Sequence, residues 1–297
     1  MQLKNEFKVS VIVPVFNAER FVRRAVESAV QLAEVGEVIL IDDAGPDNSV
    51  EVCKCLENQF ARVRLLRHPD GLNHGAGASR NLGIRNANFD CIAFLDADDY
   101  YLPNRFEKDR EILQSDESVD GVYGAIGIHY ESQDARTRFH AAGFAYQEFL
   151  TVSAPVPPEE LIEVLFRCHP SVTGQFSTIG LTIRKSVLER SGLFNERLRL
   201  RQDTHLWRRL AAVGRLVPGS IDKPVAIRGV HGANRMTDKT EQAQFSAKYW
   251  WDSLNDWFRR TPSVPKRAKR SFKRSYRSYW GDTSTGNRSA RDTLPRS

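Results

Sequence analysis

The stretch "VSVIVPVFNAERFVRRAVESAV", residues 9–30, decides the fold. Its opening "VSVIVPVF" is nearly continuous in β-branched and apolar residues, the pattern of a strand covered on both faces. Asn17 then offers a helix N-cap, and Phe21, Val22, Ala25, Val26, Ala29 and Val30 fall on one helical stripe. The alternation continues. "EVILID" is a second strand, the turn-rich "DAGPDNS" leads into a helix from Val50 to Leu56, and "VRLLRH" is a third strand. "PDGLNHGAGAS" is a Gly-rich loop feeding the helix "SRNLGIRNA", and "CIAFLD" is a fourth strand. This order predicts an α/β fold with a Rossmann-like, mostly parallel central sheet flanked by helices.

In such sheets ligands bind beyond the carboxyl ends of the strands. Asn17 and Glu19, Asp42 and Asp43, the run from His74 to Arg80, and Asp96 to Asp99 all follow predicted strands, so they should share one rim. The last group poses a problem: "FLDADD" crowds three carboxylates at the tip of an apolar strand. Two unit charges about 4 Å apart repel by roughly 4 kcal/mol at an effective dielectric of about 20. A hard divalent cation prefers carboxylate oxygens and, when it also bridges phosphates, needs only one or two from the protein. A cation would cancel the repulsion and neutralise a departing diphosphate. Three rival readings are a cap, in which Asp98 or Asp99 opens the helix after Pro103; a set of solvated turn residues; and a phosphatase-like nucleophile, for which no accompanying phosphate-site pattern is found.

After Arg105 the pattern changes. "RFEKDREILQ" reads as a helix, "VDGVYGAIGIHYE" as antiparallel strands broken by glycine, and "APVPPEELIEVLF" as a Pro-led helix. "STIGLTIRKSVLERSGLF" gives a strand and a short helix, "DTHLWRRLAAVG" a helix with Leu206, Leu210 and Val213 on one face, and "KPVAIRGVHG" a strand. The organisation expected is a first lobe over 1–104, a second over 105–236, and an aromatic helix with a basic tail over 237–297.

Composition bounds the class. Of 297 residues, 41% are hydrophobic and 27% charged, as in ordinary globular proteins. No apolar run reaches the roughly 18 residues of a spanning helix, and the N-terminal stretch lacks a signal peptide's layout, which predicts a cytoplasmic protein. Cys53, Cys55, Cys91 and Cys168 have no zinc-like spacing and read as packed, reduced thiols. The net charge of +6 is uneven: Arg259 to Ser297 holds 12 Lys/Arg against two Asp, leaving the rest of the chain at −4.

Together, "VSVIVPVFNAERFVRRAVESAV", "VILIDDAGPDNS", "NHGAGASRNLGI", "FLDADDYYLPNR", "GLFNERLRLRQDTHLWRRL" and "VHGANRM" resemble the family 2 glycosyltransferases, which have a GT-A fold. The likeness runs from Val9 to Met236. It implies inverting transfer of a sugar from a nucleotide diphosphate donor, most often UDP, to an acceptor hydroxyl on a glycan or lipid-linked acceptor, with Mn2+ or Mg2+ as cofactor. It also implies nucleotide-sugar binding for the first lobe, 1–104, and acceptor binding for the second, 105–236. By the same resemblance Pro14, Val15, Asn17 and Glu19 border the nucleotide. Asp42 and Asp43 match the acidic pair that accepts from the base; "DDAGPDNS" stands where "DDGSxDxS" is commoner, with Asp47 and Ser49 still able to cap the next helix. Asn73, Gly75 and Arg80 approach the donor, Arg80 pairing with phosphate or with the acidic rim. Asp96 and Ala97 lie near the ribose, and Asp96, Asp98 and His231 near the metal. Arg228 and Arg235 flank the phosphates. Asp203 matches the general base, with Gln202 replacing the usual glutamate; its rival reading is a plain N-cap. His129, His169 and His205 are left structural. Without the Gln-x-x-Arg-Trp pattern of processive relatives, single-sugar addition is expected.

The helix marked by Phe245, Tyr249, Leu254, Trp257 and Phe258, flanked by Trp250 and Trp251, allows three readings with its basic tail: packing on the catalytic body, peripheral contact with an anionic membrane, or nucleic-acid binding, for which no recognised fold speaks. The final "GDTSTGNRSARDTLPRS" is expected to be poorly ordered. Two whole-protein alternatives remain. A dinucleotide-dependent oxidoreductase lacks its Gly-x-Gly-x-x-Gly after the first strand. An inert nucleotide-sugar-binding protein would not need Asp96, Asp98 and Asp203 together.

Overall fold

A computed structural model describes residues 6–141, 149–232 and 246–281. Strand β1 (Val9–Val15) is buried along nearly all its length and lies between β2 (Val35–Asp42) and β4 (Cys91–Phe94), parallel to both. Ile12 stands opposite Ile39 and Phe94, which explains the unbroken apolar run: residues of both parities meet protein. One face of the sheet packs Val11 and Val13 against α1 (Val22–Val30). The other packs Ile12 and Phe94 in the core that holds Ile84 of α3 (Ala76–Asn86). Helix α2 (Ser49–Gln59) leads to β3 (Val63–Arg67), which pairs parallel with β2.

The sheet does not stop at residue 104. Its seven strands run β3-β2-β1-β4-β8-β6-β9, with β8 (Leu181–Arg184) antiparallel to both β4 and β6 (Gly121–Tyr123), and β9 (Leu216–Pro218) parallel to β6. A second sheet has the order β5-β10-β7, from Tyr100–Tyr101, Pro224–Val230 and Ala125–Tyr130. Strands β6 and β7 were expected to pair with each other. They belong instead to different sheets, and the chain passes from one to the other at Gly124. Strand β10 carries His231 toward the acidic tip because Gly229 lets it approach: a Cβ there would lie 2.3 Å from the Asp98 carbonyl oxygen.

The remaining helices are α4 (Glu107–Ser115), α5 (Gln133–Ala141), α6 (Leu161–Leu165), α7 (Lys185–Ser191), α8 (Gln202–Val213), α9 (Ala247–Arg260) and α10 (Lys266–Gly281). The aromatic stripe of α9 is rotated from the expected one. Trp250 and Leu254 are fully buried and Trp251 and Phe258 nearly so, whereas Tyr249 and Trp257 are only partly covered. Phe245 lies outside the described residues. The basic stretch beyond Thr261 folds into α10, whose Phe272 stacks on Phe258 with centroids 4.4 Å apart. Phe166, after α6, completes that cluster. The hairpin's aromatic face is therefore packed on the body. Most of "GDTSTGNRSARDTLPRS", from residue 282 on, lies outside the described residues.

Candidate active site

Parallel strands end on one rim, and there a cleft of about 370 Å³ opens. Pro14 and Asn17 from the end of β1, Asp43 after β2, Arg80 of α3, Asp96, Ala97 and Asp98 after β4, His231 after β10, and Asp203 at the start of α8 all line it. Val15 does not. It is a core residue whose carbonyl accepts from the Asp43 N–H at 2.9 Å. Glu19 lines an adjoining recess and receives the Asn48 N–H at 3.3 Å.

The rim is tied together by side-chain oxygens. Asn17 is no N-cap: it takes a left-handed φ of 52°, and α1 starts later, after Phe21. Nor do Asp47 and Ser49 cap α2, whose N-cap is Asn48 without a side-chain bond. They cross-link loops instead: Asp47 accepts from Glu19 N at 2.9 Å, and Ser49 Oγ from Ala18 N at 2.8 Å. Gly45 in the unusual "DDAGPDNS" fits this closeness, since a Cβ there would sit 2.7 Å from the Asn17 nitrogen.

Asp42 and Asp43 diverge. Asp42 turns from the cleft to Arg67, whose Nε donates at 2.6 Å. Asp43, buried, holds the Gly-rich loop: it accepts from Asn73 Nδ2 at 3.0 Å, His74 N at 2.8 Å and Gly75 N at 2.9 Å. Asn73 Oδ1 in turn accepts from Arg199 at 2.9 Å. Neither Asn73 nor Gly75 lines the main cleft; both shape its wall through Asp43.

The three acids of the tip are compensated separately. Asp96 pairs with Arg80 at 2.5 Å, the rim pairing that rivalled phosphate binding. Asp98 Oδ2 lies 3.2 Å from His231 Nε2. Asp99 is buried and accepts from Gly229 N at 2.8 Å; burial, then Asp98 and Asp96, push its carboxyl well above the usual carboxylate range. None of the three caps a helix: the next one, α4, has Phe106 at its N-cap.

Among the described residues no group of three or more His, Cys, Asp or Glu is spaced to hold a metal alone. The converging Asp98 oxygen and His231 nitrogen form a two-donor set, which fits a hard cation only if a substrate's phosphate oxygens complete the shell. At α8 the N-cap is Arg201, so Asp203 is not the cap; it stands in the first turn, where its Oδ1 accepts from Thr204 N at 2.7 Å.

Asp99 was expected on the rim, though not buried there against Gly229 of the second sheet. Other lining residues were missed. Arg199 and Arg201 had a faint signal, arginine at every second position before Asp203. Phe139 of α5 lies in a segment without a readable motif.

A family model described as Glycosyl transferase family 2 matches residues 10–170, more than half of the chain. The chain belongs to that family. Succinoglycan biosynthesis protein ExoU of Rhizobium meliloti is 28% identical over 213 residues, covering 69% of this chain and 57% of that protein. An uncharacterized glycosyltransferase of Rickettsia felis is 26% identical over 248 residues, covering 83% of this chain and 38% of its own length. The chain thus spans less than two thirds of these relatives. In fold it is similar to S. aureus TarS 1–349 crystallised with UDP-GlcNAc, with a TM-score of 0.70 at 16% identity over 97% of this chain and 76% of that one. Its mostly parallel central sheet is that GT-A architecture.

Proposed function

We propose that this family 2 protein is an inverting glycosyltransferase that moves a hexose from a UDP-sugar to an acceptor hydroxyl.

 The nucleoside end of the donor falls to residues before 105 and the acceptor to residues after it, with the diphosphate between residues of both. The observation that carries this reading is the convergence of Asp96, Asp98 and Asp203, distant in sequence, on one cleft. TarS was crystallised with UDP-GlcNAc, which supports UDP as the nucleotide. ExoU is a succinoglycan biosynthesis protein, which supports cell-surface polysaccharide and a glycan or lipid-linked acceptor.

The chain's own residues divide the work. Asp43 fixes the Gly-rich loop that walls the donor. Arg80 and Arg199, which line the cleft, bring positive charge to the diphosphate. Asp98 and His231, with Asp96 beside them, would hold Mn2+ or Mg2+ together with the donor, and the ion's chemistry is to neutralise charge on the leaving group. The Asp203 carboxylate takes the proton of the attacking hydroxyl, a task that needs only an available oxygen at the cleft. Attack comes from the face opposite the diphosphate and inverts the anomeric carbon.

Isothermal titration of UDP with and without Mn2+, alongside transfer assays of Asp203→Asn, tests this reading. The variant should lose transfer while binding UDP like the parent protein. Turnover by Asp203→Asn would refute the base assignment, and NADH binding in place of UDP would refute the donor class.

We propose further that α10 makes peripheral contact with an anionic membrane at its inner face. Lys266, Arg270, Lys273, Arg274 and Arg277 are exposed on it, while its aromatic face is packed inward. No helix among the described residues is long and apolar enough to cross a membrane. Contact would therefore be electrostatic, at about 1 kcal/mol per cation near the surface. Co-sedimentation with anionic vesicles should be strong at low salt and lost at high salt; binding indifferent to salt would refute it.

A further inference from the structure

The turn that carries Asp203 is held by helix α9. Arg201 adopts φ 56° and ψ 24°, a left-handed conformation that residues with a Cβ rarely take. This turn starts α8 and sets Asp203 on the cleft. The Arg201 carbonyl accepts from His205 N at 3.1 Å, Thr204 Oγ1 at 3.0 Å and the Trp250 indole Nε1 at 3.1 Å. Two of these donors belong to α8 itself. The indole ties the turn to another element, α9.

Trp250 is fixed in its own right. It is fully buried in α9, with the Arg208 guanidinium 5.0 Å over its ring and the His205 ring edge-on at 5.5 Å. One turn along, Ser253 Oγ lies 3.1 Å from His205 Nε2, a second link between α9 and the first turns of α8. On the opposite side Arg199 grips Asn73 of the donor loop. Residues 199–203 thus stand between α9 and the loop that walls the nucleotide.

From this we infer that Trp250 is a positioning residue: its indole N–H fixes the Arg201 turn and, through it, the reach of the Asp203 carboxylate into the cleft. The inference rests on the reading of Asp203 as base. Helix α9 then serves the reaction as well as the core.

The test compares two full-length variants. Trp250→Phe keeps an aromatic ring and loses the donor. Leu254→Ala opens a hole in the same helix, at a fully buried residue one turn along. For Trp250→Phe, kcat should fall about tenfold or more, because an ångström of misplacement can cost about a hundredfold. Its donor KM and UDP affinity should stay within about twofold of the parent's, the split that marks loss of an interaction made in the transition state. Leu254→Ala should melt lower yet keep its kcat when assayed below its transition. Parental kcat in Trp250→Phe, or a kcat loss that simply tracks melting temperature in both variants, overturns the inference. Amide exchange over residues 202–206 is read on the same proteins and needs no turnover. Faster exchange in Trp250→Phe alone supports the tether, and unchanged exchange overturns it. Absence of transfer by the parent protein would count against the enzyme reading, with the exchange result still deciding the tether.

Discussion

Replacing Asp43 by Asn changes one atom and should loosen the whole donor wall. The carboxylate is 2% exposed and serves Asn73 Nδ2, His74 N and Gly75 N. An amide offers one oxygen in place of two, so its NH2 must face donors on one side. If it faces Asn73, that side chain cannot simply flip, because its Oδ1 already accepts from Arg199. If it faces His74 N, a partly buried backbone N–H loses its partner. An unsatisfied buried donor costs about 1–3 kcal/mol, and loss of charge from the remaining bonds adds about 1 kcal/mol. The expected destabilisation is about 2–4 kcal/mol, or roughly 5–10 °C in melting temperature. Asp42→Asn is the control. Asp42 is equally buried, but its partner Arg67 is 54% exposed, so screening reduces the pair to about 1 kcal/mol. Urea titrations of both variants give the comparison, and UDP titration should show weaker binding by Asp43→Asn. Equal losses, or a larger loss for Asp42→Asn, would refute the assignment of Asp43 as the loop's anchor.

Two further outcomes follow from the charges. Burial, with Arg209 and Arg208 nearby, holds His205 well below its usual range, so it stays neutral in the folded protein. The unfolded chain takes up that proton near pH 6.5; stability is therefore full above this pH and falls below it, by at most about 1.4 kcal/mol per pH unit from this group. His205→Gln should flatten the decline between about pH 6.5 and 5 in urea titrations, and an unchanged slope would refute its neutral burial. Chelation of divalent ions should leave the melting temperature of the ligand-free protein within about 1 °C while weakening UDP binding, because Asp96 and Asp98 already have protein partners. A large drop in melting temperature on chelation would show that the ion belongs to the fold.

Much of the sheet was legible because burial on both faces leaves a run such as "VSVIVPV" little choice of side chain. The rim residues were legible for a related reason: polar groups directly after such runs can only be at strand ends. Strands β5 and β9, of two and three residues, left no pattern, since pairing with β10 and β6 rather than propensity makes them strands. Periodicity identified α9 as amphipathic but not its buried angle. Trp250 faces inward because the Arg201 carbonyl and the Arg208 guanidinium meet it there, and both belong to a helix some 40 residues earlier in the chain. Asn17 looked like a cap by composition; the loop cross-links from Asp47 and Ser49 instead draw it into the left-handed turn.

The acidic tip shows the limit of pair energies taken from sequence. Three carboxylates within four positions imply mutual repulsion only if nothing else is near. Here each has a different answer: a buried guanidinium for Asp96, an imidazole for Asp98, and for Asp99 a backbone N–H together with a raised affinity for its own proton. The ligand-free rim therefore needs no cation to fold. The diphosphate of an arriving donor would set new negative charge against Asp98 and compete with Asp96 for Arg80. On the proposed reading, a cation entering with the donor would resolve both conflicts at once, which would make binding of donor and metal mutually dependent.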